Sequence, residues 1–264
     1  MKVGISEIVL PELTLEDFFQ KSSAAGYEVV EICLGGEKSP LQLNTKETLI
    51  PEINRLSGQY KLPVVSLVHW QCTGNLLSSG SSQRISIEQT CEGLEIARKV
   101  GAKCTLHTLG AMTPELYYDE AYENAVCSLK EIAAAAEKNG VTVAVEFMWN
   151  GFLFSPLEMK RFLDEIGSEF IGFYFDPGNM AVFQYPQHWA RILGNDIKMV
   201  HMKDWKGNAL SGGWPGLLEG GINFKSIMTE LRRAGYRGPL ISEVDVASAG
   251  IEKTAEAIRK IIAM

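Results

Sequence analysis

Short apolar runs of β character alternate about eight times with amphipathic, helix-spaced stretches between Val3 and Ile262. The β runs are VGIS, EVVEI, LPVVSLVH, AKCTLH, VTVAVE, IGFYFD, IKMVH and PLISE. Most are apolar at consecutive positions, the pattern of parallel strands covered on both faces. Helical stretches lie at Leu15–Gly26, Lys46–Tyr60, Arg84–Val100, Tyr118–Lys138, Pro156–Ile166, Gln187–Leu193, Phe224–Ala234 and Gly250–Ile262. Gly26, Gly101, Gly140 and Gly235 stand between a helix and the next strand, where a left-handed cap favours a residue without Cβ. The economical architecture is a single α/β domain over residues 1–264, a (β/α)8 TIM barrel. A doubly wound open sheet is the alternative, weakened by the lack of a GxGxxG after the first strand. The loops Trp70–Gln83 and Trp205–Asn223 are long and follow strands, as lids and binding loops do.

Seven of these runs carry, at or near the carboxyl end, a residue that ionises or ligates: Glu31, His69, His107, Glu146, Asp176, His201 and Glu243. In a barrel these ends converge on one functional face. Glu146, Asp176, His201 and Glu243 end four successive strands, so they can meet at one ion. Three carboxylates and an imidazole form a hard, oxygen-rich set, suited first to Mn²⁺, with Mg²⁺ or Co²⁺ as alternatives. Such an ion acidifies a carbon beside a carbonyl and stabilises the resulting enediolate. Taken singly, each residue has a plain structural reading: a helix N-cap or a salt bridge for a carboxylate, a turn residue for Asp176 in DPGN, a packed polar residue for a histidine. That reading must be invoked four times over.

Composition narrows the partners. A net charge of −7 and a pI near 5.3 argue against nucleic acid, whose backbone needs a basic field. No apolar run reaches the ~18 residues that span a bilayer, and MKVGISEIVL does not read as a secretory signal. Cys33, Cys72, Cys91, Cys104 and Cys127 show no CxxC pairing and read as reduced thiols of a cytoplasmic protein.

VAVE, FDPGN, VHMKD and ISE, in this order and spacing, resemble the xylose isomerase-like barrels of the sugar phosphate isomerase/epimerase superfamily, which includes ketose 3-epimerases, inosose dehydratases and endonuclease IV. The resemblance covers nearly the whole chain, and LEGGINF from Leu218 is similar to a stretch preceding the seventh helix of these proteins. It implies a small carbohydrate substrate, a homo-oligomer (dimer or tetramer), and Glu146, Asp176, His201 and Glu243 as metal ligands. It further implies that Glu146 and Glu243 are the catalytic pair, one removing a proton and the other returning it from the far face through a metal-held enediolate.

The chain departs from the ketose 3-epimerase pattern at Asn179, where a histidine is expected, at Phe147 instead of proline, and at Gly207 instead of arginine. A three-metal nuclease cluster lacks its remaining ligands. His107 and His69 are expected to hydrogen-bond substrate hydroxyls, Glu31 to contact substrate or orient a loop, and Asn179 and Lys203 to bind substrate. Asp204 is either a support for the ligands or an ion-pair partner of Lys203. Trp70, Trp149 and Trp214 are expected to wall the sugar, and His188 to lie at the surface. The leading function is therefore a divalent-metal sugar or sugar phosphate epimerase or isomerase. A dehydratase or lyase acting on an inosose-like or 3-keto sugar, and a catalytically silent sugar-binding barrel, are the alternatives.

Overall fold

The structure, a computed structural model, describes residues 1–36, 38–70 and 74–264. Its first half runs β1 (Val3–Ser6), α1 (Leu15–Ala24), β2 (Val29–Leu34), α2 (Lys46–Tyr60), β3 (Val64–His69), α3 (Gly80–Val100), β4 (Cys104–His107) and α4 (Tyr118–Asn139). The second continues with β5 (Thr142–Glu146), α5 (Pro156–Ile166), β6 (Ile171–Phe175), α6 (Pro177–Ala181), α7 (Pro186–Leu193) and β7 (Ile197–Met202). It closes with β8 (Lys206–Asn208), β9 (Ser211–Gly213), α8 (Phe224–Arg233), β10 (Leu240–Ser242) and α9 (Ile251–Ala263). Eight strands form a closed barrel in the order β1-β2-β3-β4-β5-β6-β7-β10, every pair parallel, with the long helices outside. This is the expected single (β/α)8 barrel.

Local chemistry sets the punctuation. Thr14 Oγ1 accepts from Asp17 N at α1, Ser155 Oγ from Glu158 N at α5, and Asn223 Oδ1 from Ser226 N at α8. Each satisfies a backbone donor that the first helical turn leaves open. The four expected cap glycines all have positive φ, from 62° at Gly140 to 90° at Gly101.

Strand side chains alternate between two compartments. Cys33, Val68, Cys104, Leu106, Ala144, Tyr174, Met199 and Ile241 fill the barrel interior. Their neighbours of opposite phase, such as Val30, Ile32, Leu67, Val143, Phe173 and Val200, pack under the helices. Trp189 of α7, fully buried, stacks on Phe173 with ring centroids 5.7 Å apart and meets Phe147 at 5.0 Å. Burial of this kind contributes up to about 3 kcal/mol per large side chain, and it fixes α7 against the strands that lead to the site.

Two local features differ from the sequence reading. The Trp205–Asn223 loop contains an antiparallel hairpin, β8–β9, whose six strand residues are all exposed and therefore carry no hydrophobic signal. DPGN opens a short helix, α6, instead of a free turn. Cys33, Cys91, Cys104 and Cys127 are free thiols, as expected, and Cys72 lies outside the described residues. No helix of the described residues is long and apolar enough to cross a membrane.

Candidate metal centre

Glu146 is the last residue of β5, Asp176 follows β6, His201 lies near the end of β7, and Glu243 follows β10. These four strands are consecutive in the barrel, so the two glutamates bracket an arc with Asp176 and His201 between them. One ligand atom from each lies within 4.8 Å of all the others. His201 Nδ1 is 3.1 Å from Glu146 Oε1 and 3.1 Å from Glu243 Oε2.

Asp176 combines two readings that its sequence kept apart. Its Oδ1 caps α6, accepting from Gly178 N at 2.8 Å and Asn179 N at 3.2 Å. Its Oδ2 faces the centre, buried and without a hydrogen bond of proper geometry, and so does Glu243 Oε2. The Lys203 ammonium approaches these two oxygens at 2.9 and 2.8 Å as a charge.

Counting Glu31 below, four carboxyl groups converge here on two basic groups, Lys203 and His201, so that full ionisation of all six would leave two negative charges unmatched. Uncompensated buried charge costs several kcal/mol per ion, and a divalent cation removes the imbalance. The hard donor set, with two buried carboxylate oxygens that share a single ammonium, fits such an ion.

Without a cation the excess shows as displaced pKa values. Burial, with the charges of Glu243 and Asp176, pushes the Glu146 carboxyl up to about 7, the His201 hydrogen bond opposing this. Burial also raises Asp176. Glu243 moves down, because Lys203 and His201 outweigh the burial that would raise it. His201 lies well above its ordinary value: burial alone would lower it, but the charges of Glu31 and Glu243 prevail.

A cavity of about 520 Å³ opens above the centre. Glu146, His201, Lys203 and Glu243 form its floor, and Trp70, Trp149 and Trp214 are among its walls. Trp149 stacks on Trp214, centroids 5.4 Å apart and planes 26° from parallel, while its Nε1 donates to Asn179 O at 3.1 Å. Asn179 lines the same cavity, its Oδ1 3.3 Å from Lys203 Nζ and its Nδ2 donating to Phe147 O. Ile8, Thr108, Met148 and Asp245 also line it and were not anticipated. Thr108 was recoverable, since it shares the inward phase of Cys104 and Leu106.

Three expected substrate contacts are corrected. His69 and His107 have the opposite phase from Val68 and Leu106, so their rings lie outside the sheet against α3, away from the cavity. Thr90 Oγ1 is 3.2 Å from His107 Nε2, and Leu109 N donates to His107 Nδ1 at 2.8 Å. Gly93 rides so closely on His69 that a Cβ there would stand 2.5 Å from Cε1 of the ring. Burial lowers both histidines, to about 3 for His69 and about 4 for His107, so they are neutral packing groups at physiological pH. Glu31 faces the lumen but three residues before the end of β2, fully buried one layer beneath the cavity, where it reaches His201 instead of a substrate.

Asp204 supports a loop and does not pair with Lys203. Its carboxylate accepts from Trp205 N, Gly220 N and Ile222 N at 2.8, 2.9 and 3.3 Å, tying down the segment after the hairpin. Gly220 is required there, since a Cβ would stand 2.2 Å from Asp204 Oδ1. His188 and Lys206 are exposed.

Glu7, just after β1, is a separate buried acid. It is 6% exposed, and its Oε2 accepts from Cys33 N at 2.8 Å. Burial pushes its carboxyl up to about 7 against that bond. Between the ordinary value and about 7 the folded chain holds a proton that the unfolded chain has released, so this group's stability is lost as pH rises through about 7. Glu7→Gln should therefore match the parent near pH 5 and exceed it near pH 8, by on the order of 3 kcal/mol. Urea melts at the two pH values check this; an unchanged difference between them contradicts it.

A closed parallel barrel that gathers three carboxylates and an imidazole from consecutive strands, beneath an aromatic-walled cavity, defines a class of α/β barrel with a centre able to hold a cation. The chain belongs to the xylose isomerase-like TIM barrel family, whose profile matches residues 19–263. A putative L-ribulose-5-phosphate 3-epimerase of Haemophilus influenzae is 24% identical over 280 residues, covering 99% of this chain and 93% of that protein. Among solved structures, a D-tagatose 3-epimerase-like protein superposes with a TM-score of 0.85 at 22% identity, over 100% of this chain and 97% of the other. A protein crystallised with a bound zinc atom superposes with a TM-score of 0.83 at 16% identity, over 100% and 98%. These structural likenesses establish the fold.

Proposed function

We propose that the chain is a divalent-metal-dependent sugar epimerase or isomerase in which Glu146, Asp176, His201 and Glu243 hold the ion and Glu146 and Glu243 move the proton. The observation that carries this reading is the four-ligand arc, with Asp176 Oδ2 and Glu243 Oε2 buried toward one point and sharing the Lys203 ammonium as counter-charge. The epimerase names of the relatives and the zinc in one structural neighbour support it. When bound, the metal would act as a Lewis acid toward a carbonyl oxygen and lower the acidity barrier of the adjacent carbon.

The protein's own groups do the rest. Glu146 and Glu243 stand at the two ends of the arc, so a substrate carbon held between them meets one carboxyl on each side. One takes the proton as base and the other delivers one as acid, which inverts the stereocentre. Lys203 supplies positive charge beside an oxygen that becomes anionic. Trp149 and Trp214 offer flat apolar walls to the C–H face of a sugar and keep water from the reacting carbon.

The preferred substrate is an unphosphorylated sugar. Lys203 is the only Lys or Arg among the described lining residues, and its ammonium is engaged by Asp176 and Glu243. Asp204 and Asp245 add further negative charge to the cavity wall. Glu37, Gln71, Cys72 and Thr73, the residues outside the description, carry no positive charge either.

A panel of ketoses, keto sugars and ketose phosphates in D₂O with Mn²⁺, followed by proton NMR, tests the reading. The expected result is loss of one C–H signal next to the carbonyl, an epimer or isomer of unchanged mass, and turnover of free sugars over their phosphates. Loss of mass assigns elimination instead. Binding without exchange leaves a silent barrel, and a strict need for the phosphate refutes the charge argument.

A further inference from the structure

We infer that Glu31 is a positioning residue for His201: from inside the barrel it takes the Nε2 side of the ring, so that Nδ1 is the nitrogen offered to a metal. The inference rests on the metal reading above and names a residue outside the four-ligand set.

Glu31 sits on β2 and His201 on β7, two strands that are not neighbours in the barrel, so their contact crosses the lumen. Glu31 Oε1 lies 2.8 Å from His201 Nε2, while Nδ1, on the other edge of the ring, looks at Glu146 and Glu243. The second oxygen is held as well: Tyr174 OH donates to Glu31 Oε2 at 2.5 Å and lies 3.4 Å from Ser66 Oγ. Tyr174 also packs on the His201 ring, centroids 4.4 Å apart, which restricts its rotation. Ring, carboxylate and phenol are all essentially buried.

Stability alone gives little reason for this arrangement. The lumen around the pair also holds Cys33, Cys104, Ala144 and Met199, and a buried ionic pair is often no more stabilising than an apolar replacement of similar volume. The pair does have a use for ligation. A neutral imidazole carries its proton on either nitrogen, and a ligand must keep the metal-facing nitrogen bare. A carboxylate at Nε2 fixes that proton on the far side, sets the ring plane and makes the facing nitrogen a better donor.

The test is calorimetric titration of Mn²⁺ into metal-free wild type, Glu31→Leu, Glu31→Gln and Tyr174→Phe. Glu31→Leu should bind about 10- to 100-fold more weakly, Tyr174→Phe should lose less, and Glu31→Gln, whose amide oxygen still accepts from Nε2, should recover most of the affinity. Nitrogen NMR of ¹⁵N-histidine-labelled, zinc-loaded wild type should show His201 with its proton on Nε2. Glu31→Leu binding within about twofold of wild type overturns the inference, as does a wild-type ring protonated on Nδ1; the latter decides even if Glu31→Leu fails to fold. A wild-type chain that takes up no metal removes the metal reading and this inference with it.

Discussion

Glu146→Gln and Glu243→Gln should each slow interconversion of substrate epimers by about 10²- to 10⁴-fold at saturating metal, the range lost with a single general acid or base. Glutamine keeps the shape and one oxygen of the side chain but cannot exchange a proton. The two variants should nevertheless differ in a diagnostic way. If the carboxyls serve opposite sides of the carbon, each variant keeps one working base. It should then wash the hydrogen out of one epimer into D₂O without inverting it, and the two variants should prefer opposite epimers. Such behaviour follows from the placement of Glu146 on β5 and Glu243 after β10, with β6 and β7 between them. Interconversion within about tenfold of wild type in either variant contradicts the two-carboxyl assignment.

Metal removal should have the second large effect. At a Mn²⁺ concentration about 100 times the dissociation constant, binding to the folded chain alone adds about 2.7 kcal/mol. For a chain of this size that raises the melting temperature by about 5 to 10 °C. Asp176→Asn and His201→Ala should lose most of that gain together with activity. The gain should also grow with pH. In the metal-free chain Glu146 is pushed up to about 7 and His201 lies well above its ordinary value, so both keep protons to higher pH than free side chains do. A cation must displace those protons, and affinity therefore falls as pH drops below about 7. Thermal scans with Mn²⁺ and with chelator near pH 6 and pH 8 measure this. Equal melting temperatures with and without metal at both pH values contradict it.

The barrel was legible because a repeating period carries it. Consecutive apolar β residues, helical spacing and cap glycines all agree from end to end, and no single element had to be right. The arc of Glu146, Asp176, His201 and Glu243 was legible because a polar residue ending an apolar strand conflicts with a core position.

Strand end alone does not say which way a side chain points, and there the reading of His69, His107 and Glu31 went astray. A shift of one residue moves a side chain from the lumen to the helix layer, as His107 beside Leu106 shows. Applying the period of two from Cys104 through Leu106 would have selected Thr108 and set His107 aside. Glu31 has the inward phase but lies too deep to touch a substrate, and depth depends on the stagger of neighbouring strands, which no local pattern encodes. The β8–β9 hairpin escaped because its strands bury nothing. Asp176 shows that two local readings need not compete, since a carboxylate has one oxygen for a helix cap and another for the centre.

Crystals grown with Mn²⁺ and measured for anomalous scattering test the central claim most directly. One peak is expected within about 2.5 Å of the facing atoms of Glu146, Asp176, His201 and Glu243, with Nδ1 as the histidine donor. An empty centre in which Lys203 still bridges Asp176 and Glu243, or manganese bound elsewhere on the chain, would contradict the account.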